Sequence, residues 1–226
     1  MRFKSHIPNL LTLCNLLCGC AGIVFVLENR TIPAAYFVWL AALFDFADGF
    51  AARLLKVSSP IGKELDSLAD VISFGVLPSV AFYKMGYPLP APLPYTAFMI
   101  AAFSAIRLAV FNIDTSQSDS FKGLPTPANA LFITSLPLLP SGITGWLSQA
   151  FPFVLICILS SVLLVSRIEL FALKFKNFSW KENRIRFTFL ALSVLLLAVL
   201  KISAIPLIIL LYIVVSLIVH KSESGN

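Results

Sequence analysis

Charge is what this chain has least of. Only 12% of its 226 residues are Asp, Glu, Lys or Arg, against roughly 25% in a soluble domain. With 58% hydrophobic residues and a mean hydropathy of +0.91, that shortage argues against a large soluble globule and points to an integral membrane protein. Cysteine and histidine are scarce as well. Cys14, Cys18 and Cys20 share one apolar run, Cys157 stands alone, and His6 and His220 lie near opposite ends. Such a set suits neither a disulfide framework nor a zinc cluster, and small residues packing in a membrane helix explain it. No basic stretch forms a domain of its own, so the net charge of +6 reads as loop charge facing anionic lipid and no nucleic-acid partner is expected. Internal repeats and low-complexity tracts are lacking too. The first apolar run ends near Leu27 without a small-residue cleavage site, so no cleavable signal peptide is expected.

What is abundant is long apolar runs. They predict an all-α, polytopic membrane domain over 1–226, with helices near 8–27, 32–55, 62–86, 93–113, 126–144 and 147–166. The stretch from Phe187 to Val219 would be about 50 Å long as one helix, well beyond a hydrocarbon core of about 30 Å. Lys201 and Pro206 offer a break, so two short helices folded back on each other are expected, about eight spans in all. We divide the domain into a catalytic six-helix core (1–166), a basic interfacial segment (167–186) and a C-terminal hairpin (187–220). The interfacial segment interleaves Phe171, Phe175, Phe178 and Trp180 with basic residues, a composition suited to anionic headgroups. Placing both termini in the cytoplasm puts fourteen of the 17 Lys and Arg on the inner side, leaving only Arg30, Lys84 and Lys201 outside. That bias favours a multi-pass protein of the cell (inner) membrane whose active face is cytoplasmic.

Against this background eight residues stand out: Asp45, Asp48, Gly49, Ala52, Arg53, Gly62, Asp66 and Asp70, spaced D-x2-D-G-x2-A-R-x8-G-x3-D-x3-D. Ionisable groups in membrane helices are expensive and mark function by default. Residues three, four, seven or eight apart share a helix face. Asp45, Asp48, Gly49, Ala52 and Arg53 therefore form one stripe, and Gly62, Asp66, Ala69, Asp70 and Ser73 a second. Two antiparallel helices would aim four carboxylates at one another. Helix-end salt bridges leave too much of that negative charge unpaired. Two divalent cations would neutralise it, and oxygen ligands favour Mg²⁺ or Mn²⁺. Such a site clamps the attacking and leaving oxygens of a displacement at phosphorus. The glycines admit a bulky anionic ligand, and Arg53 can fork onto a phosphate. In the first helix Asn9, Thr12, Asn15 and Gly19 fall on one side, where polar groups need internal partners. We read that side as a wall of the nucleotide site.

The spacing resembles that of the CDP-alcohol phosphatidyltransferase family, with every motif position between Asp45 and Asp70 filled. The resemblance implies a homodimeric membrane enzyme that moves a phosphatidyl group from a CDP-linked lipid to an alcohol and releases CMP. By the same resemblance Asp45, Asp48 and Asp66 hold one metal, and Asp45, Asp66 and Asp70 the other. Asp70 is then also the base for the acceptor hydroxyl, while Gly49, Arg53 and Ser59 contact the CDP part. A P-N-x2-T-x2-N run like the one from Pro8 to Asn15 also occurs in similar enzymes.

Arg107, Asn112, Asp114 and the run F-K-G-L-P-T-P-A from Phe121 to Ala128 resemble phosphatidylserine synthases of the membrane-embedded type, which implies CDP-diacylglycerol and L-serine as substrates. Arg107 or Lys122 would hold the serine carboxylate, with Asn112 or Asp114 near the amine. Two alternatives stay open. One is a sister transferase accepting glycerol 3-phosphate or inositol phosphate, which should carry more cations than the loop 114–125 offers. The other is an ion-coupled transporter, which should spread its polar residues across the membrane depth.

Overall fold

Apolar runs of this length satisfy their backbone hydrogen bonds inside lipid only as helices, and helices are what the chain forms. A computed structural model describes residues 2–113, 121–170 and 179–223. Helices α1 (Arg2–Leu27) and α2 (Thr31–Leu55) form a long hairpin. A continuous rod follows, made of α3 (Pro60–Asp70), a π-helical turn (Val71–Val76) and α4 (Leu77–Met85). A 3-10 turn (Leu93–Ala97) leads into α5 (Phe98–Ile113). Beyond the next loop come α6 (Thr126–Ser135), α7 (Ser141–Leu147), α8 (Ala150–Val165), α9 (Trp180–Leu200) and α10 (Ala204–Glu223). The one sheet element among the described residues is a two-residue antiparallel pair, β1 (Phe121–Lys122) with β2 (Glu169–Leu170).

The surface carries many large apolar side chains. Leu17, Phe46 and Leu54 are each about two-thirds exposed, at 65%, 65% and 69%, and many other large apolar side chains lie outside with them, far beyond the patches a soluble monomer shows. Five stretches are long and apolar enough to cross a membrane, six if the bent α6–α7 pair counts as one span. The expectation of eight spans is therefore matched only in part. The helix expected over 126–144 breaks after a 3-10 turn at Leu136–Leu138, and α6 and α7 diverge by 118°. Pro137 and Pro140 cannot donate to the ladder there. At 16 residues, α8 reaches only about 24 Å. The last of the five stretches, Asn183–Val219, is interrupted by a 3-10 turn at Lys201–Ser203. The Phe189 and Tyr212 rings lie 6.0 Å apart, so α9 and α10 fold back on each other.

Close packing of α1 against the rod positions everything that follows. A Cβ on Gly19 would lie 2.5 Å from Ser73 Oγ and 2.9 Å from Ser73 Cα, and one on Gly22 would meet Leu77. Small residues at these points let the helices approach, as is usual in membrane interfaces. We expect Gly19→Ala to push α1 off the rod and destabilise the fold by about 1–3 kcal/mol, read as a lower melting temperature in detergent. An unchanged melting temperature would show that the contact is dispensable. Two apolar cores flank this contact. One gathers Val26, Val38, Phe74 and Leu77. The other is built on Phe82 and Phe153, whose rings stack at 4.5 Å.

Candidate active site

The connection between α2 and α3 sets the geometry of the site. Lys56 takes the left-handed conformation (φ 52°), its N–H bonding Arg53 O while Val57 N–H bonds Ala52 O, the pattern of a Schellman cap. Ser59 then caps α3, its hydroxyl accepting the Gly62 N–H at 3.0 Å, with Pro60 at the first helical position. The turn is short, so the aspartate stripes of α2 and α3 face each other.

Ligand oxygens of Asp45, Asp48 and Asp66 all lie within 4.8 Å of one another. Asp48 is buried, and the Thr12 hydroxyl sits 2.6 Å from its Oδ2 and 3.1 Å from Pro8 O. A single hydroxyl proton favours the charged acceptor. Asp66 Oδ1 is buried with no hydrogen-bond partner. Asp70, also buried, lies outside the triad and accepts a 2.9 Å bond from Asn15 Nδ2. A second strap joins the same elements, since the Ser73 hydroxyl donates to Asn15 O at 2.9 Å. Among the described residues no cationic side chain is bridged to the aspartates, and the ion pair Arg30–Glu28 lies remote in sequence from the site. An oxygen-only donor set of three clustered carboxylates, with one oxygen orphaned, fits a hard divalent cation.

Beside the triad opens a cleft of about 270 Å³, lined by Asn9, Thr12, Asp48, Gly49, Ser59, Gly62, Lys63 and Asp66 among others. Five of the residues expected at the CDP part, Asn9, Thr12, Gly49, Ser59 and Gly62, therefore share one wall system with two of the aspartates. Gly49 has open space where a Cβ would stand. The other two lie elsewhere. Asn15 sits deeper, against Asp70. Arg53 is exposed and donates from Nε to Gly49 O at 3.1 Å.

The residues expected at the acceptor are more scattered. Arg107 donates from Nη1 to Leu164 O of α8 at 3.0 Å, and it does not line the cleft. The Asn112 side-chain amide donates to Ser67 Oγ at 2.9 Å, and the Asn112 main-chain carbonyl accepts a 2.6 Å bond from Lys63 Nζ, tying the end of α5 to α3. Asp114 lies outside the described residues, as do Phe171, Phe175 and Phe178 of the basic segment. Lys122 is placed only as backbone, in β1. Sequence reasoning missed Lys63, the one cation lining the cleft among the described residues. A signal was present, because Lys63 and Asp66 are three apart and share a helix face.

Comparison with known proteins agrees with this geometry. The chain is 39% identical over 135 residues to a Helicobacter pylori CDP-diacylglycerol–serine O-phosphatidyltransferase, covering 58% of this chain and 57% of that one. It is 37% identical over 124 residues to the Bacillus subtilis protein of the same name, covering 54% and 70%. It is 35% identical over 166 residues to an archaetidylserine synthase of Methanothermobacter thermautotrophicus, covering 72% and 68%. The chain thus spans little more than half the length of the Helicobacter relative. The family model for CDP-alcohol phosphatidyltransferase matches residues 5–154, which hold the cleft and all four aspartates, and the chain belongs to that family.

Proposed function

We propose that this protein transfers the phosphatidyl group of CDP-diacylglycerol to the hydroxyl of L-serine, giving phosphatidylserine and CMP. The observation that carries the reading is a triad of clustered carboxylates, bridged to no cationic side chain among the described residues, at the edge of a cleft with a lysine in its wall. The names of the relatives support serine as the acceptor. Two divalent cations, Mg²⁺ or Mn²⁺, held by Asp45, Asp48, Asp66 and Asp70, would when bound neutralise charge on the diphosphate and acidify the acceptor hydroxyl.

The chain's own residues do the rest. Asn9, Thr12, Gly49, Ser59 and Gly62 shape the CDP wall, and Arg53, whose terminal NH₂ groups remain for a ligand, reaches a phosphate oxygen. Asp70, oriented by Asn15, accepts the serine hydroxyl proton. The serine oxygen forms the new bond to phosphorus as the bond to CMP breaks. A carboxylate touching a cation is a weak base, so this proton transfer requires the acceptor hydroxyl to be acidified as well. On the acceptor side the reading keeps Arg107, Asn112, Asp114 and Lys122 and adds Lys63, whose ammonium has donors to spare beyond Asn112 O. Eight spans, cytoplasmic termini, a cytoplasmic site in the inner membrane and a homodimer belong to the same reading.

The test is CMP release from CDP-diacylglycerol by the purified full chain, with serine, glycerol 3-phosphate or inositol phosphate as acceptor. Product with serine is expected. Product only with a phosphorylated alcohol would move the protein to a sister activity, and none with any acceptor would favour a transporter. Lys63→Gln should raise the KM for serine about tenfold, the loss of one charge-assisted hydrogen bond, with the KM for the CDP-lipid little changed. A rise confined to the CDP-lipid would place Lys63 on the diphosphate instead.

A further inference from the structure

A second cavity is larger than the aspartate cleft. It lies between α6, α8 and the α9–α10 hairpin and holds about 600 Å³. Phe132 of α6, Leu136 of the 3-10 turn that follows it, Leu155 and Leu159 of α8, and Leu207 and Leu210 of α10 form its walls. None of them lines the cleft. Apolar cavities do not hold water, and an empty one costs stability in proportion to its volume. A space this large therefore calls for an apolar occupant.

Its shape and its polar end say which. Asn129 lies in the first turn of α6 and is fully buried. Its Oδ1 accepts the Ser160 hydroxyl, and its Nδ2 has no partner. From Asn129 to Leu139, which also lines the cavity, the chain advances about 16 Å, at roughly 1.5 Å per residue in α6 and about 2.0 Å in the 3-10 turn. That is roughly half of a hydrocarbon core of about 30 Å, the depth of one leaflet. Asn129 follows directly on the loop that leads from the site-side end of α5. The unsatisfied amide thus stands at the end of the cavity nearest the polar boundary, where the ester of a lipid would lie.

We propose that this cavity binds one long acyl chain of a membrane glycerolipid, with the ester carbonyl accepting a hydrogen bond from Asn129 Nδ2. The chain enters beside Asn129 and runs between α6, α8 and α10 toward the bend at Pro140. Two lipids carry such a chain, a bilayer phospholipid and the CDP-linked donor. The inference does not rest on the transfer reaction.

The experiment is photo-crosslinking of the full chain in nanodiscs. One probe is a phosphatidylglycerol with a diazirine near the acyl terminus, the other a CDP-diacylglycerol labelled in the same way, and adducts are mapped by mass spectrometry. Adducts are expected on α6, α8 and α10 residues facing the cavity. They should fall at least fivefold in Leu207→Trp, which fills the space from α10, and in Leu155→Trp, which fills it from α8. Using both walls, with helix content checked by circular dichroism, separates filling from misfolding. Labelling by phosphatidylglycerol that excess unlabelled CDP-lipid leaves in place supports a resident lipid. Labelling that CDP-lipid displaces supports the donor's tail. Adducts confined to the outer apolar faces, such as that of Phe46 and Leu54, or cavity adducts undiminished in both filled variants, would overturn the proposal.

Discussion

Asp70→Asn is expected to lower CMP release by at least about 10³-fold, within the range attributed to a positioned general base, while the protein stays folded. The substitution keeps shape and volume. An oxygen remains for Asn15 Nδ2, which bonds Asp70 at 2.9 Å, so the strap between α1 and α3 survives. What disappears is a negative charge and the capacity to take a proton. A rate within tenfold of wild type, with the melting temperature unchanged, would remove Asp70 from the proposed chemistry. A collapse in melting temperature would show instead that its charge holds the fold together.

Chelation is the second large effect. Treatment of the purified protein with EDTA should bring turnover to background, and Mg²⁺ or Mn²⁺ should restore it. A readout independent of turnover accompanies this. A ligand at 100 times its Kd stabilises the folded state by about 2.7 kcal/mol, so adding the cation should raise the melting temperature of the wild type. In Asp66→Asn the triad loses one of its three carboxylates, and that rise should shrink. The same variant should be at least as stable as wild type in EDTA, because it relieves repulsion among carboxylates whose ligand oxygens lie within 4.8 Å. Full activity in EDTA, or a metal-induced rise undiminished in Asp66→Asn, would refute the cation reading.

Much of this site was legible in the sequence because helical periodicity is a strong constraint. Once α2 and α3 are helices, Asp45 with Asp48, and Asp66 with Asp70, must each share a face. A turn as short as Lys56–Ser59 leaves few ways to arrange those faces. Periodicity says nothing about which buried polar group touches which. Asn15, expected at the nucleotide, bonds Asp70 in the structure, a pairing that depends on how closely Gly19 lets α1 approach Ser73. The helix expected over 126–144 divides for another reason. Hydropathy averages over Pro137 and Pro140, while the backbone responds to the missing N–H groups. Arg107 reads from sequence as a ligand for a carboxylate, and in the structure its Nη1 also bonds Leu164 O at the end of α8, where helix carbonyls lack intrahelical donors. A sequence offers no way to see that a distant helix ends there.

The strap from Asn15 also makes the proposed metal site unequal in its two halves. The triad of Asp45, Asp48 and Asp66 stands assembled, with Asp66 Oδ1 unclaimed. Asp70 accepts an amide hydrogen bond at one oxygen, so it would offer a second ion a less free ligand than the triad offers the first. That ion would also meet negative charge already partly neutralised. Occupancy is expected to be ordered, a tight ion at the triad preceding a weaker one at Asp70. A calorimetric titration should resolve two unequal steps, and the concentration of free cation would then govern turnover through the weaker of them.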